Sequence, residues 1–294
     1  MTARASSDPW TAAARGLRAA WPGVIVGEAA GVHRARVATR RLREALPVLD
    51  ADRRASRRLR RQLRALTRAL GPVRELDVTL GLVVRMLHDE PDLDAALETM
   101  RVSLMERRQR RRARLLRRVE QADIAGLVAR LRSLAADRTP SARTLPLDRP
   151  QIQRRMARRA ARLDRAVDRA GALYAPEALH RVRIAVKKLR YAVELGRAAR
   201  IRGAAGGAAR LSRVQDLLGE WHDWQVLSTH ATRIQGAMAL DDDHLADFAA
   251  LSTRIEDRCR ALHAAFLSTR PSLLALTAAI AGAGRPAGSS VRQP

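Results

Sequence analysis

The sequence predicts an all-α protein. Three observations carry that prediction. Ala, Leu, Arg and Val dominate the 294 residues, and turn-forming residues are few. Apolar residues recur at three- and four-residue spacing through most of the chain, which is the signature of amphipathic helices. The two halves also carry matching segments in the same order, as a duplicated helical unit would.

The periodicity places helices at roughly 11–20, 27–50, 52–70, 73–88, 92–136, 150–172, 176–200, 204–219, 221–238 and 242–281. Residues 27–50 combine an apolar face with a basic one. Residues 52–70 follow as a second basic helix. It should stop at Gly71-Pro72, because proline lacks the backbone donor that a helix interior needs. Glu75 and Asp77 just beyond suit the first turn of a new helix, where the dipole favours carboxylates. The 92–136 stretch is long enough to break near Asp123. "DRTPSARTLPLDRP", Asp137 to Pro150, holds three Pro and polar turn formers and reads as a linker. The expected organisation is a disordered N-terminus over 1–8, a first helical bundle over 9–136 and the linker over 137–150. A second bundle over 151–281 and a disordered tail over 282–294 follow.

The duplication rests on two pairs of segments. "VHRARVATRRLR", starting at Val32, matches "LHRVRIAVKKLR", starting at Leu179, and their histidines His33 and His180 lie 147 residues apart. "LTRALGPVRELDVTL" (Leu66 to Leu80) resembles "VQDLLGEWHDWQVL" (Val214 to Leu227), with Leu70-Gly71 aligned to Leu218-Gly219 and Glu75 to Asp223.

Charge points to the class of partner. The chain carries 56 Lys and Arg against 30 Asp and Glu, a formal net charge of +26. Its natural partner should be a polyanion: nucleic acid, an anionic membrane or a phosphate polymer. Only two Lys occur, Lys187 and Lys188, so nearly all of the charge is Arg. Four Trp, two Tyr and two Phe give few platforms for base stacking, which counts against single-stranded nucleic acid.

The matched segments put that charge on one face. At about 100° per residue, His33, Arg36, Arg40 and Arg43 share a stripe. Arg41 lies on its flank, and Ala35, Ala38, Leu42, Ala45, Leu46 and Leu49 point the other way. In the second segment His180, Arg183, Lys187 and Arg190 share the stripe with Lys188 on the flank. Val182, Ala185, Leu189, Ala192 and Val193 face the core. Like charges at these spacings repel by a few tenths of a kcal/mol per pair, at about 5–6 Å. A bound polyanion removes that penalty, and the flat fork of Arg matches phosphate oxygens. Each histidine admits two readings of equal weight, a donor to phosphate or a helix residue satisfied by backbone.

Other charged groups divide into secondary candidates and structural ones. Arg57, Arg61, Arg64 and Arg68 form a further stripe, a secondary candidate if its helix doubles back. "ERRQRRRARLLRR" (Glu106 to Arg118) and "RRMARRAARLDR" (Arg154 to Arg165) read as solvated surface. Arg74, Glu75, Asp77 and Asp223 read as structural groups.

No enzyme signature is present: no GxxxxGK phosphate loop, no GxSxG and no ExExK. His88, His222, His230, His244 and His263 lack metal-ligand spacing, and Cys259 is the single cysteine. Neither a metal nor another cofactor is expected. The lone cysteine fits a reducing cytoplasm. No uninterrupted apolar run approaches the ~20 residues of a membrane span, so no membrane partner is expected.

The paired His-Arg segments, each followed by Leu-Gly-x-x-x-Glu/Asp, resemble the CHAD domain, the conserved histidine α-helical domain. The resemblance covers roughly residues 10 to 280. It implies two helical bundles related by pseudo-two-fold symmetry around a basic groove. It also implies non-catalytic binding of inorganic polyphosphate and targeting to polyphosphate granules. Many members carry a fused CYTH triphosphatase domain, which does not occur in this sequence, so a stand-alone binder is expected. Carried over residue by residue, the resemblance selects His33, Arg36, Arg40, Arg41 and Arg43, and His180, Arg183, Lys187, Lys188 and Arg190. The competing expectations are an architectural nucleic-acid binder and a scaffold that recruits proteins to granules.

Overall fold

A computed structural model describes residues 9–48, 53–136, 149–201, 204–237 and 241–282. Among these residues every regular element is helical. They form α1 (Pro9–Val26), α2 (Ala29–Ala45), α3 (Arg53–Asp89), α4 (Asp94–Val119), α5 (Ile124–Ala136), α6 (Arg149–Ala170), α7 (Pro176–Ala198), α8 (Ala204–Gln235) and α9 (Asp242–Gly282). The all-α expectation therefore holds. The expected tails over 1–8 and from 283, Leu49, and residues 137–148 of the expected linker lie outside the described residues. Arg149 and Pro150 already belong to α6.

Two expected helix breaks are absent. α3 runs through Gly71-Pro72, and α8 runs through Gly219. A proline inside a helix costs about 3 kcal/mol. On α3 the buried stripe Leu63, Leu66, Leu70, Val73 and Leu76 continues across Pro72. Each such side chain gains about 1.5–3 kcal/mol on burial, so packing outweighs the local cost. Because α3 is continuous, Glu75 and Asp77 do not open a new helix. The break near Asp123 does occur, and the Asp123 carboxylate accepts the Gly126 N–H at 2.6 Å at the start of α5.

The chain divides into two compact units. One comprises Met1–Pro146 with Glu220–Leu262, the other Leu147–Gly219 with His263–Pro294. Residues 220–262, expected in the second bundle, therefore group with the first. The reason is helix length: α8 and α9, of 32 and 41 residues, each contribute to both units.

In the first unit α1 packs on α2 and α5, α2 on α3, and α3 on α4. Trp10 is buried and donates its indole N–H to the Leu131 carbonyl at 2.7 Å, tying α1 to α5. α1 ends at Gly27 with φ +76°, a left-handed conformation that favours glycine. The Glu28 N–H then returns to the Gly23 carbonyl at 2.8 Å, which completes the helix cap. Arg108 donates to the Gly27 carbonyl at 3.2 Å and Arg112 to that of Val26 at 2.5 Å. These two Arg of the "ERRQRRRARLLRR" run are thus structural clamps rather than solvated surface.

Arg108 also binds Asp77 at 2.6 Å, with the Asp77 side chain only 2% exposed. Asp77 thus has a structural role, as the partner of an α4 arginine rather than as the opening carboxylate of a new helix. Replacing Asp77 with Ala should destabilise the first unit by about 2–3 kcal/mol, because it strands a half-buried guanidinium. Denaturant unfolding with matched Arg108→Ala and double variants would measure the pair.

In the second unit α6 packs on α7. Arg270 of α9 donates to the Gly171 carbonyl at 3.0 Å, and Thr277 donates to Asp164 at 3.0 Å. α9 is the longest helix among the described residues. By length and composition it is apolar enough to cross a bilayer. Arg and Ser interrupt its apolar residues, so it holds no uninterrupted apolar run of ~20. Its apolar residues Phe248, Leu251, Ile255, Cys259, Leu262, Phe266, Leu273, Leu276 and Ile280 are all buried, at the three- and four-residue spacing of a core face.

Candidate functional site

α2 carries the first basic segment. Val32, Ala35, Ala38, Leu42 and Ala45 are buried, which fixes the opposite face of the helix outward. His33 and Arg41 are exposed on that side, and Arg36, Arg40 and Arg43 are half-buried. Thr39, buried among the alanines, donates its hydroxyl to the Arg36 carbonyl at 3.0 Å.

α3 folds back onto α2 and brings its own cations to the stripe. Arg36 donates to the Thr67 carbonyl at 3.4 Å. Its guanidinium lies over Gly71, where an added Cβ would stand 3.2 Å from Nη1. Glycine at this point leaves room for the guanidinium against α3. The electrostatics report the same clustering. Partial desolvation lowers the His33 pKa below its ordinary value, and Arg74, Arg40, Arg36 and Arg34 push in the same direction. Arg43 is lowered by desolvation and by Arg64, Arg40 and Arg68, with Glu44 opposing. The structure thus brings Arg64 and Arg68 to the first stripe. Arg74, read from sequence as a structural group, sits beside His33. On a continuous α3, Arg74 falls about 80° from Arg64 and 120° from Arg68, so the spacing of that stripe does not point to it. Arg57 and Arg61 are exposed one and two turns earlier on α3.

Gly71 makes a mixed prediction. Gly71→Ala should raise helix stability by up to about 1 kcal/mol. It should also displace the Arg36 guanidinium and weaken anion binding a few-fold. Thermal melts and a binding titration on the same variant would show the two effects moving in opposite senses.

α7 carries the second segment in the other unit. Val182, Val186, Leu189, Ala192 and Val193 are buried, and Ala185, expected in the core, is half-buried with Val186 in its place. Helical phase explains the exchange: Val186 falls one turn beyond Val182 on the inner face. His180, Arg183, Lys187 and Arg190 are half-buried and Lys188 is exposed. Desolvation lowers the His180 pKa, aided by Arg183 and Lys187 and opposed by Glu177.

Arg190 differs from its counterpart Arg43. Its Nε donates to Gln215 at 2.8 Å and its Nη1 to Glu194 at 2.7 Å, and its guanidinium stands 5.0 Å from the Tyr191 ring centroid. α7 and α8 therefore hold this side chain in one orientation. The row on α7 is anchored by local partners, whereas the row on α2 is reinforced by cations of α3.

These arrangements can do one thing chemically. Each presents guanidinium or ammonium groups about 5–6 Å apart along a helix, over a face whose reverse is locked into the core. Among the described residues, no three His, Cys, Asp or Glu side chains gather as a metal site would require.

The comparisons with known proteins agree with this architecture. A family model described as the CHAD domain matches residues 10–232. Among solved structures, the chain is similar to PptA from Streptomyces chartreusis, with a TM-score of 0.67 and 16% identity, over 89% of this chain and 96% of that one. It is also similar to the CHAD domain from the plant Ricinus communis, with a TM-score of 0.58 and 20% identity, over 91% of this chain and 87% of that one. No curated protein matches the chain in sequence.

Proposed function

The chain belongs to the CHAD domain family, and from that premise we propose that it binds inorganic polyphosphate without catalysis, through the basic rows of α2 and α7. The observation that carries this reading is the repeated row itself. The same residue types recur at the same offsets on two helices, each held outward by a buried reverse face. A helix gains nothing from aligned like charges in isolation. An anion with charges at regular short spacing converts that repulsion into attraction along the whole row. Inorganic polyphosphate has such a backbone and carries no base for a protein to read, which suits a surface poor in aromatic residues.

On this reading one linear polymer engages both rows, so long chains bind more tightly than short ones. The protein works in the cytoplasm and collects on polyphosphate granules. The direct test is titration with polyphosphates of defined length, with duplex DNA as competitor at fixed salt. Polyphosphate should displace labelled DNA far more readily than DNA displaces polyphosphate. The reverse ranking would favour an architectural nucleic-acid binder. Tagged protein in cells with and without polyphosphate synthesis tests the granule assignment.

Binding should also take up protons. His33 and His180 have pKa values below 6.5 in the free protein, because burial and neighbouring cations disfavour the charged ring. A phosphate beside each ring reverses that field and raises the pKa. The bound form then holds more protons than the free form near and below pH 6.5, so affinity rises as pH falls through that window. Each unit of difference strengthens binding about tenfold. Affinities at pH 5.5 and 7.5, for the wild type and for His33→Gln/His180→Gln, would measure the effect.

A further inference from the structure

We infer that the outer face of α6 is a docking surface for duplex DNA, built from Arg154, Arg158, Arg162, Arg165 and Arg169. It shares no residue with the rows on α2 and α7, and it adds a second ligand to the polymer-binding reading.

The face follows from helical register. At about 100° per residue these five positions fall within one arc of about 80°. All five are exposed. Ile152, Met156, Ala160, Leu163 and Val167 are buried on the reverse side, and α6 packs on α7. Asp164, on the flank, accepts the Thr277 hydroxyl of α9. The reverse side is therefore locked into the second unit, and the arginines stand outward. At 1.5 Å of rise per residue the row is about 22 Å long.

Solvation alone does not call for this pattern, which sequence reads as plain surface. Aligned like charges at three- and four-residue spacing repel. Elsewhere the chain pairs exposed arginines: Arg110 with Glu106 at 3.4 Å, Arg258 with Glu220 at 2.5 Å and Arg260 with Glu256 at 3.1 Å. The five arginines of the α6 row make no ion pair or hydrogen bond among the described residues. Asp168 stands beside the C-terminal end of the row without pairing to any of them.

Shape selects among polyanions. α6 presents a convex surface, one helix about 10–12 Å across. The major groove of B-form DNA is about 12 Å wide and admits such a helix. Ala157 and Ala161 flank the row on one side, so no bulky side chain blocks the approach there. Duplex DNA carries one negative charge per about 1.7 Å of its axis, which supplies phosphates along the whole row. The forked donors of Arg fit phosphate oxygens and guanine edges. An anionic membrane fits less well, because an interfacial helix needs an outward apolar side and no exposed large apolar residue lies on α6. Single strands call for aromatic platforms, and α6 has no aromatic residue. Polyphosphate in excess neutralises the same arginines by charge, so it still displaces DNA.

Fluorescence anisotropy on the full chain tests the face, with a labelled mixed-sequence duplex about two helical turns long. Arg154→Ala/Arg158→Ala/Arg162→Ala/Arg165→Ala is first checked for fold by circular dichroism. It should bind the duplex at least about tenfold more weakly and flatten the salt slope by about four, one per lost contact. Its affinity for long-chain polyphosphate should stay at the wild-type level. Arg36→Ala/Arg40→Ala/Arg183→Ala/Lys187→Ala should show the reverse, with duplex binding kept. The duplex is titrated without polyphosphate, so this result does not depend on the polymer reading. An α6 variant that binds duplex DNA like the wild type overturns the proposal. Equal loss of duplex binding in the quadruple variant overturns it too, by assigning DNA to the polymer rows. An RNA duplex bound as tightly as DNA removes the groove fit, because its A-form major groove is deep and narrow. Phosphatidylserine-rich vesicles that bind through the α6 arginines while the duplex does not would reassign the face to a membrane.

Discussion

Replacing Arg36, Arg40, Arg183 and Lys187 together by Ala should abolish polyphosphate binding and leave the helices intact. A hydrogen bond to a charged group contributes about 1.5–3 kcal/mol. Four such contacts, even with strong non-additivity, account for at least about a thousand-fold in affinity. Stability should move little or rise. Ala is the best helix former, and each removed like-charge pair relieves a few tenths of a kcal/mol. Within the first unit the variant gives up the Arg36 donation to Thr67 at 3.4 Å, which is at the weak end of the range. Circular dichroism and thermal melting establish that the variant is folded, and titration with long-chain polyphosphate gives the affinity. A folded quadruple variant that binds like the wild type removes α2 and α7 from the site.

Salt should weaken wild-type binding by several decades. Release of condensed counterions makes log K fall linearly with log salt concentration, with a slope close to the number of neutralised phosphates. If six to ten of the candidate cations engage the polymer, affinity falls by roughly 10³–10⁵ between 50 and 200 mM salt. Each cation removed should flatten the slope by about one, which separates contacting residues from bystanders. Arg43 and Arg190 form an informative pair here. Arg190 already binds Gln215 and Glu194, whereas Arg43 is crowded by Arg64, Arg40 and Arg68. Arg43→Ala should change the slope more than Arg190→Ala. A slope near zero would mean that the charge rows do not touch the ligand.

Much of this was legible from residue order. The stripe on α2 follows from period alone, because Ala35, Ala38, Leu42 and Ala45 can be buried together only if His33, Arg36, Arg40 and Arg43 face away. The same logic gave α7, with a small error of phase at Ala185 and Val186. Other features were not legible. Gly71-Pro72 reads as a stop because the local backbone penalty is visible in sequence, while the packing that overrides it is not. That misreading also put Asp77 in the first turn of a new helix, whereas it lies within α3 and pairs with Arg108. The arginines of α4 look alike in sequence. Only their partners show that Arg108 and Arg112 hold the end of α1.

The sequence by itself determined the helical class and the two outward basic rows. These depend on helical period and on summed charge, and both are properties of residue order. The tertiary structure alone decided which cations reinforce the α2 row, how Arg190 is anchored, and which residues form each compact unit. Those depend on contacts between residues distant in the chain, where burial of shared apolar faces outweighs local signals such as a proline or a run of like charge.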